Sequence, residues 1–262
     1  MAKLFLVGFS ILFSWIFLAG TVRSENATSV REFVSGSDTV TRALVITPDK
    51  PIGYVLLLPG GDGDIALSPS GGIGLANMAN NFTVRTRNMF ADAGLITLVL
   101  NAPCCPVLGL NRKDQYFKHL EALRDIAVAL KKELNLPLWI IGTSSSATRL
   151  ALMTPRIQGD VAIAGIVLTS MPVSTASKNI GEAATVAVPV LVVHHRKDGC
   201  FACKPEAVQP FLDMLGTTSK TLIWIEGGVN QGNPCHEAAY HGFNGKDSEA
   251  VGAVIDWIKA KR

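Results

Sequence analysis

In the stretch WIIGTSSSATRLAL, residues Trp139–Leu152, three serines join an apolar run directly to the start of a helix. A nucleophilic serine needs this context: a sharp turn between strand and helix, with small residues two positions before it and two after it. With Ser144 as the centre, these two positions are Gly142 and Ser146. The alternative is a serine-rich helix cap, in which a hydroxyl accepts a hydrogen bond from an early helical N–H.

The order of residues favours one of the three serines. Moving the centre of the turn to Ser145 would place Thr143 at the first flanking position, and a β-branched residue fits a strained turn poorly. We therefore predict Ser144 as the candidate nucleophile. The backbone N–H of Ser145 is then the expected donor to an oxyanion.

Short runs of Val, Ile and Leu recur along the chain, and helical spacing fills the stretches between them. The runs are Thr41–Ile46, Tyr54–Pro59, Leu95–Leu100, Pro137–Gly142, Ala162–Leu168, Pro189–His195 and Thr221–Glu226. The helical stretches are Val84–Ala93, Asp114–Leu134, Pro205–Leu215 and Ser248–Lys261. Continuous apolar strands are covered on both faces, so we expect an α/β protein with a doubly wound, mostly parallel sheet. The first run could instead pair antiparallel at the sheet edge.

In these residues the chain resembles the α/β-hydrolase fold family, matching its motif at Gly142 and Ser144, with Ser146 in place of the usual glycine. The resemblance covers essentially the whole mature chain and suggests a small dienelactone-hydrolase-like or lipase-like domain without a large cap. It implies a serine hydrolase that cleaves a carboxylic ester of a small molecule through an acyl-enzyme, with no metal or organic cofactor.

The resemblance also implies a nucleophile, an acid and a histidine in that chain order. Asp198 follows an apolar run, where such hydrolases carry the acid, although Asp-Gly is also a common turn pair. For the base we favour His241, because His-Gly-Phe shortly before the last helix looks like the histidine loop of the family. His236 is the second candidate.

The second oxyanion donor is expected after an early central strand, in LLLPGGDGD, residues 56–64. The N–H of Gly61 or of Asp62 is the candidate. Pro59 stands where the family's motif has histidine, which leaves the identity of the donor open, and Gly-Gly-Asp-Gly is also an ordinary flexible turn. The following loop, Leu67–Asn81, is expected to face the substrate.

Residues 1–24 have the layout of a secretory signal, with one early lysine, an apolar run and small residues near the end. Cleavage after Ser24 or after Gly20 fits. Cleavage after Ser24 leaves 25–262 as a single predicted domain, with 22 basic residues against 21 acidic ones. We expect an exported protein, periplasmic or secreted, without membrane insertion after cleavage. Its near-neutral charge argues against nucleic acid as a partner.

Export permits disulfides among the five cysteines, which are Cys104, Cys105, Cys200, Cys203 and Cys235. We predict a disulfide between Cys200 and Cys235, which would tie the acid loop to the histidine loop. A zinc site of three cysteines and His236 is the disfavoured alternative, because adjacent ligands at 235 and 236 strain tetrahedral coordination. The sequence leaves the pairing of the other three cysteines open.

Two other functions remain open from the sequence. The departures at Pro59 and Ser146 permit an inactive binding protein that keeps the fold. An intact triad could equally cleave peptide, lactone or thioester bonds, because serine hydrolases share this machinery across acyl groups.

Overall fold

A computed structural model describes residues 26–36, 39–102, 112–173 and 180–262. The predicted signal sequence, Cys104 and Cys105 lie outside these ranges. Within them, no helix combines the length and the apolar character needed to cross a membrane.

One sheet of eight strands organises the described part of the chain, in the order β1-β2-β4-β3-β5-β6-β7-β8. The strands are β1 (Ala27–Ser35), β2 (Thr39–Thr47), β3 (Gly53–Leu58), β4 (Leu95–Leu100), β5 (Leu138–Thr143), β6 (Gly165–Thr169), β7 (Val190–His195) and β8 (Lys220–Ile225). Strands β3 to β8 pair in parallel, whereas β2 is antiparallel to β1 and to β4. The predicted α/β class and mostly parallel sheet are confirmed.

Helices follow each of the parallel strands along the chain. They are α1 (Ala76–Ala79), α2 (Phe82–Arg85), α3 (Arg87–Asp92), α4 (Arg112–Glu133), α5 (Ser145–Ile157), α6 (Ile180–Ala183), α7 (Val208–Met214) and α8 (Asp247–Ala260). Two apolar clusters cover the two faces of the sheet, one containing Ile126 of α4 and Leu150 of α5, the other containing Phe90 of α3 and Val254 of α8. This layering explains why the parallel strands read as continuous apolar runs. The described connections form no large cap domain.

The antiparallel start of the sheet differs from the sequence expectation in one respect. The run from Thr41 does pair antiparallel, but it is not the edge, because β1 lies outside it over nine residue pairs from Ala27↔Thr47 to Ser35↔Thr39. Strand β1 was missed because its sequence, ATSVREFVS, is largely polar and exposed. Such an edge strand lacks the continuous apolar run that marks its neighbours.

Candidate active site

Ser144 lies on the turn between β5 and α5 with φ 53° and ψ −129°, a backbone conformation that residues with a side chain rarely adopt. Its side chain makes no capping hydrogen bond to α5, so the helix-cap interpretation does not describe this serine. The turn is tight, since a Cβ on Gly142 would lie 2.7 Å from the carbonyl oxygen of Ser146. The strained geometry raises the Ser144 hydroxyl above the carboxyl end of the sheet.

Three side chains form a continuous hydrogen-bonded series at this edge. The Ser144 Oγ lies 3.1 Å from Nε2 of His241, and Nδ1 of the same ring lies 2.9 Å from Oδ2 of Asp198. A carboxylate can only accept, so Nδ1 of a neutral His241 carries the hydrogen and Nε2 is left to accept the serine O–H. This is the arrangement in which an imidazole can take a proton from a hydroxyl.

The Asp198 carboxylate is fully buried and has a second hydrogen bond, because its Oδ1 accepts the backbone N–H of Cys200 at 2.9 Å. His194 lies on its other side, with Nε2 3.6 Å from Oδ2. Nε2 of His194 is 2.8 Å from the carbonyl oxygen of Cys203, which it must donate to. Burial lowers the pKa of His194, which disfavours a charged ring beside Asp198.

His241 is held through its backbone as well as its ring. It lies in a short 3-10 helix, Tyr240–Gly242, after β8. The hydroxyl of Ser170, which follows β6, donates to the His241 carbonyl oxygen at 2.6 Å. Arg85 of α2 donates to the Gly242 carbonyl oxygen at 2.5 Å and forms a salt bridge with Asp247 at the start of α8.

From the sequence, Gly242 is expected to let the backbone turn sharply after His241, but the structure requires a glycine there for another reason. The residue with positive φ is Phe243, at 56°. Gly242 is required instead by close packing, since a Cβ there would lie 2.3 Å from the carbonyl oxygen of Glu237.

A pocket of about 320 Å³ opens beside Ser144. Gly60, Gly61, Ser145 and the candidate histidines His236 and His241 lie on its wall. The predicted substrate-facing loop contributes three residues to the pocket wall, Asn77, Met78 and Asn81. In the described part of the chain, the backbone N–H groups of Gly61 and Ser145 donate no hydrogen bond within the protein.

Asp62, the other predicted donor of this loop, lies apart from the pocket. It lines a neighbouring cavity behind the loop, together with His119 and Arg149. The side chain of Asp62 closes a local turn by accepting the N–H of Asp64 at 3.1 Å. Of the two alternatives left open by the sequence, the geometry brings Gly61 to Ser144.

The predicted disulfide between Cys200 and Cys235 is present and closes a loop with a sequence separation of 35. It joins the segment after Asp198 to the segment before His241. Cys203 is a free, buried thiol. Burial, and secondarily the negative charge of Asp198, raise the pKa of Cys203, so the thiol is held protonated.

Sulfur and nitrogen atoms of Cys200, Cys203 and His241 lie within 4.8 Å of one another, close enough for a shared metal ion. The Cys200 sulfur is committed to the disulfide, and both ring nitrogens of His241 are committed to Ser144 and Asp198. With two of the three donors engaged, this cluster supports no metal site. The expectation of a metal-free protein stays a prediction.

No protein-family model and no curated protein matches the chain. Solved structures do match it. A dienelactone hydrolase from Anabaena variabilis superposes with a TM-score of 0.62 at 14% identity, over 90% of this chain and 96% of that one. The protein has the α/β-hydrolase fold. An esterase of Pyrococcus furiosus (TM-score 0.64, 13% identity, 90% and 91% covered) and a serine hydrolase without a lid from Xanthomonas campestris (0.57, 14%, 88% and 95%) share it.

Within this α/β-hydrolase fold, sequence reasoning missed several polar side chains next to the site. Arg85 and Ser170 hold the histidine loop, and Arg149 bonds to the loop that carries Gly61. Asn81 faces Gly60, where a Cβ would lie 3.3 Å from its Nδ2 and 3.1 Å from the Cβ of Ser144. All four act across long sequence separations, so no local pattern marks them.

Proposed function

We propose that the protein is an exported serine hydrolase that cleaves carboxylic esters through an acyl-enzyme. Ser144 is the nucleophile, His241 the general base and acid, and Asp198 the group that orients the ring. The N–H groups of Ser145 and Gly61 are the donors to the oxyanion.

The reaction proceeds in two acyl transfers. The Ser144 oxygen attacks the ester carbonyl while Nε2 of His241 takes its proton, and the tetrahedral oxyanion is stabilised by the two N–H groups. His241 then gives the proton to the departing alkoxide, which leaves the acyl group on Ser144. Water, deprotonated by the same ring, attacks the acyl-enzyme, and the ring returns that proton to the Ser144 oxygen as the acid is released. The chemistry requires no metal or organic cofactor.

One observation carries the proposal: Ser144 has the strained positive φ and also shares a hydrogen bond with His241. A structural serine has no need of both, since backbone strain of this kind is of order 1–3 kcal/mol and persists where the surroundings impose it, commonly at functional sites. The solved structures with this fold that are named as esterases and serine hydrolases support the same reaction class.

Export is supported by two features. The first 24 residues have the composition of a signal sequence, and the disulfide between Cys200 and Cys235 suits an oxidising compartment. Sequencing the N-terminus of the protein recovered from an exporting host tests this, with Glu25 expected as the first residue.

Labelling with a fluorophosphonate tests the nucleophile. We expect stoichiometric labelling that peptide mass spectrometry places on Ser144, and loss of labelling in Ser144→Ala. Ser219→Ala, a serine remote from the site, is the matched control and should label like the wild type. A correctly folded wild type that takes up no label would overturn the proposal in favour of a binding protein.

The bond that is cleaved is tested by a panel of nitrophenyl esters of graded acyl length. Turnover by the wild type should fall by roughly 10⁴- to 10⁶-fold in Ser144→Ala, as expected when the nucleophile of a triad is removed. A panel of thioesters, lactones and peptides, run beside the esters, identifies the preferred bond. A preference for any of these over every ester contradicts the ester assignment while leaving the triad intact.

A further inference from the structure

Three side chains at the start of α5 bond to the backbone of the loop opposite. The Ser146 hydroxyl donates to the carbonyl oxygen of Pro59, and the Ser145 hydroxyl donates to that of Gly61. Nη2 of Arg149 lies 2.8 Å from the Gly61 carbonyl oxygen and 2.8 Å from Oγ of Ser146. We call this set of side chains the carbonyl clamp.

A trans peptide is planar, with its N–H opposite its C=O. The carbonyl clamp therefore holds the two peptides that flank the one carrying the Gly61 N–H: Ser146 holds Pro59–Gly60, and Ser145 with Arg149 holds Gly61–Asp62. The Pro59 carbonyl points at α5, so the N–H of Gly60 points the other way. The Gly60 carbonyl oxygen accepts the N–H of Gly63 at 3.1 Å within the turn, so the N–H of Gly61 is directed out of that turn. Gly61 accommodates this path with φ +66°.

Two unusual residues of the chain meet in the carbonyl clamp. Pro59 replaces the histidine, and Ser146 the glycine, of the motifs that the sequence resembles. The hydrogen bond from Ser146 to Pro59 makes the second departure a partner of the first. A glycine at 146 could not make this bond.

Arg149 bonds to the loop and to no carboxylate in the described ranges. In the described ranges it forms no salt bridge, and its hydrogen bonds go to Gly61 and Ser146. Burial lowers the pKa of Arg149, an effect that the charge of Asp62 opposes. Taking a guanidinium partly out of water is unfavourable. Arg149 therefore has a desolvation cost that an arginine on the surface does not have.

We propose that Arg149 is a positioning residue which, with the hydroxyls of Ser145 and Ser146, holds the Pro59–Gly61 loop so that the Gly61 N–H is set for the oxyanion. This inference rests on the proposed function, since it concerns the same reaction. Its effect should appear in the transition state, because donors to an oxyanion contribute chiefly there.

The test uses Arg149→Met in the full mature protein. We expect kcat to fall by roughly 10- to 100-fold with KM within about 2-fold, which is less than the loss of a whole oxyanion donor. The pH profile of kcat should keep its shape, because the His241 ring is untouched. Arg149→Lys, which can still donate to the Gly61 carbonyl, should recover part of kcat. Arg156→Met, on the far end of the same helix and paired with Glu182, is the matched control.

Two further measurements keep the test independent of folding. Ser146→Ala removes one bond of the carbonyl clamp with little change in volume, and should lower kcat in the same direction. Hydrogen exchange, followed by mass spectrometry, should accelerate in the peptide containing residues 59–63 of Arg149→Met and stay unchanged in Arg156→Met.

The outcomes separate the two proposals. An active wild type with unchanged kcat in both Arg149→Met and Ser146→Ala overturns the carbonyl clamp alone. The carbonyl clamp is also overturned if Arg149→Met loses activity through a higher KM, or if its loss of activity only follows the fraction of protein that is unfolded. A folded wild type that neither labels nor turns over any acyl substrate overturns the proposed function and this inference with it.

Discussion

At the scale of single residues, the choice between two histidines shows what coordinates add to a sequence pattern. His236 and His241 both lie on the wall of the Ser144 pocket, five positions apart. The hydrogen bonds distinguish them, because His241 bonds to Ser144 and Asp198. In the described part of the chain, no hydrogen bond joins the His236 ring to either residue.

Alanine substitutions should separate the two rings sharply. We expect His241→Ala to lower kcat by at least about 10³-fold, because the serine loses its base. His236→Ala, the matched control, should change kcat by less than about 10-fold. Steady-state kinetics on the preferred nitrophenyl ester decide it, and the reverse ranking would assign the base to His236.

A second residue-scale prediction concerns acid stability. Burial, with the positive charge of Arg149 as the next cause, lowers the pKa of His119 from 6.5 to about 4. Between these values the unfolded chain binds a proton that the folded chain does not. The free energy of unfolding should therefore fall as the pH falls through this window, by at most about 1.4 kcal/mol per pH unit for this proton.

Urea unfolding at about pH 7.5, 6 and 5 measures this slope. The free energy of unfolding should depend less steeply on pH in His119→Gln than in the wild type, and the difference in slope should correspond to at most one proton. His194, whose pKa is also lowered by burial, accounts for part of the slope that remains. Equal slopes in the wild type and His119→Gln would show that His119 titrates normally in the folded protein.

At the scale of elements, the parallel core of the sheet was predictable and its antiparallel edge was not. Every run from Tyr54 onward became a strand because burial on both faces demands apolar residues at consecutive positions. Strand β1 has polar residues facing solvent, so its pairing with β2 depends on the neighbour and not on its own pattern. The stretch Val84–Ala93, expected as one helix, is divided into the short α2 and α3 at Thr86.

In the candidate site, too, some residues could be predicted from the sequence and others could not. Ser144, Asp198, His241 and the disulfide could be placed from the sequence because the family motif and its chain order are encoded near strand ends. The carbonyl clamp could not be placed, because Arg149 bonds to a residue 88 positions away. Which carbonyl an arginine on α5 reaches depends on how the helix packs on the sheet.

The disulfide allows a prediction at this scale. Cys200→Ser combined with Cys235→Ser should lower the free energy of unfolding by up to about 4 kcal/mol, the chain-entropy value for a loop of this length. The kcat should change by less than about 10-fold, since Ser170 and Arg85 hold the histidine loop independently of the disulfide. Urea unfolding and kinetics on the same preparation test both parts. A collapse of kcat in a folded double variant would instead make the disulfide essential to the triad.

At the scale of the whole molecule, the sheet joins the two ends of the described chain. Strand β1 is one edge and β8 the other, and the two apolar clusters draw residues from both halves, from Phe33 to Leu215 on one face and from Leu44 to Ile258 on the other. A core shared in this way favours cooperative unfolding. It supports the prediction that residues 25–262 form a single domain.

Two spectroscopic probes that report on different parts of the molecule test this prediction. Three tryptophans remain after residue 24, at positions 139, 224 and 257. They lie in β5, β8 and α8, so their fluorescence reports on the half of the sheet from β5 to β8. Far-ultraviolet circular dichroism reports on all elements, including β1 and β2. For the chain from residue 25 to 262 in urea, the two transitions should coincide in midpoint and slope, because no part of the sheet keeps its core when the other part unfolds. A dichroism transition in two steps, with the fluorescence following only one of them, would divide the chain into two independently folding units.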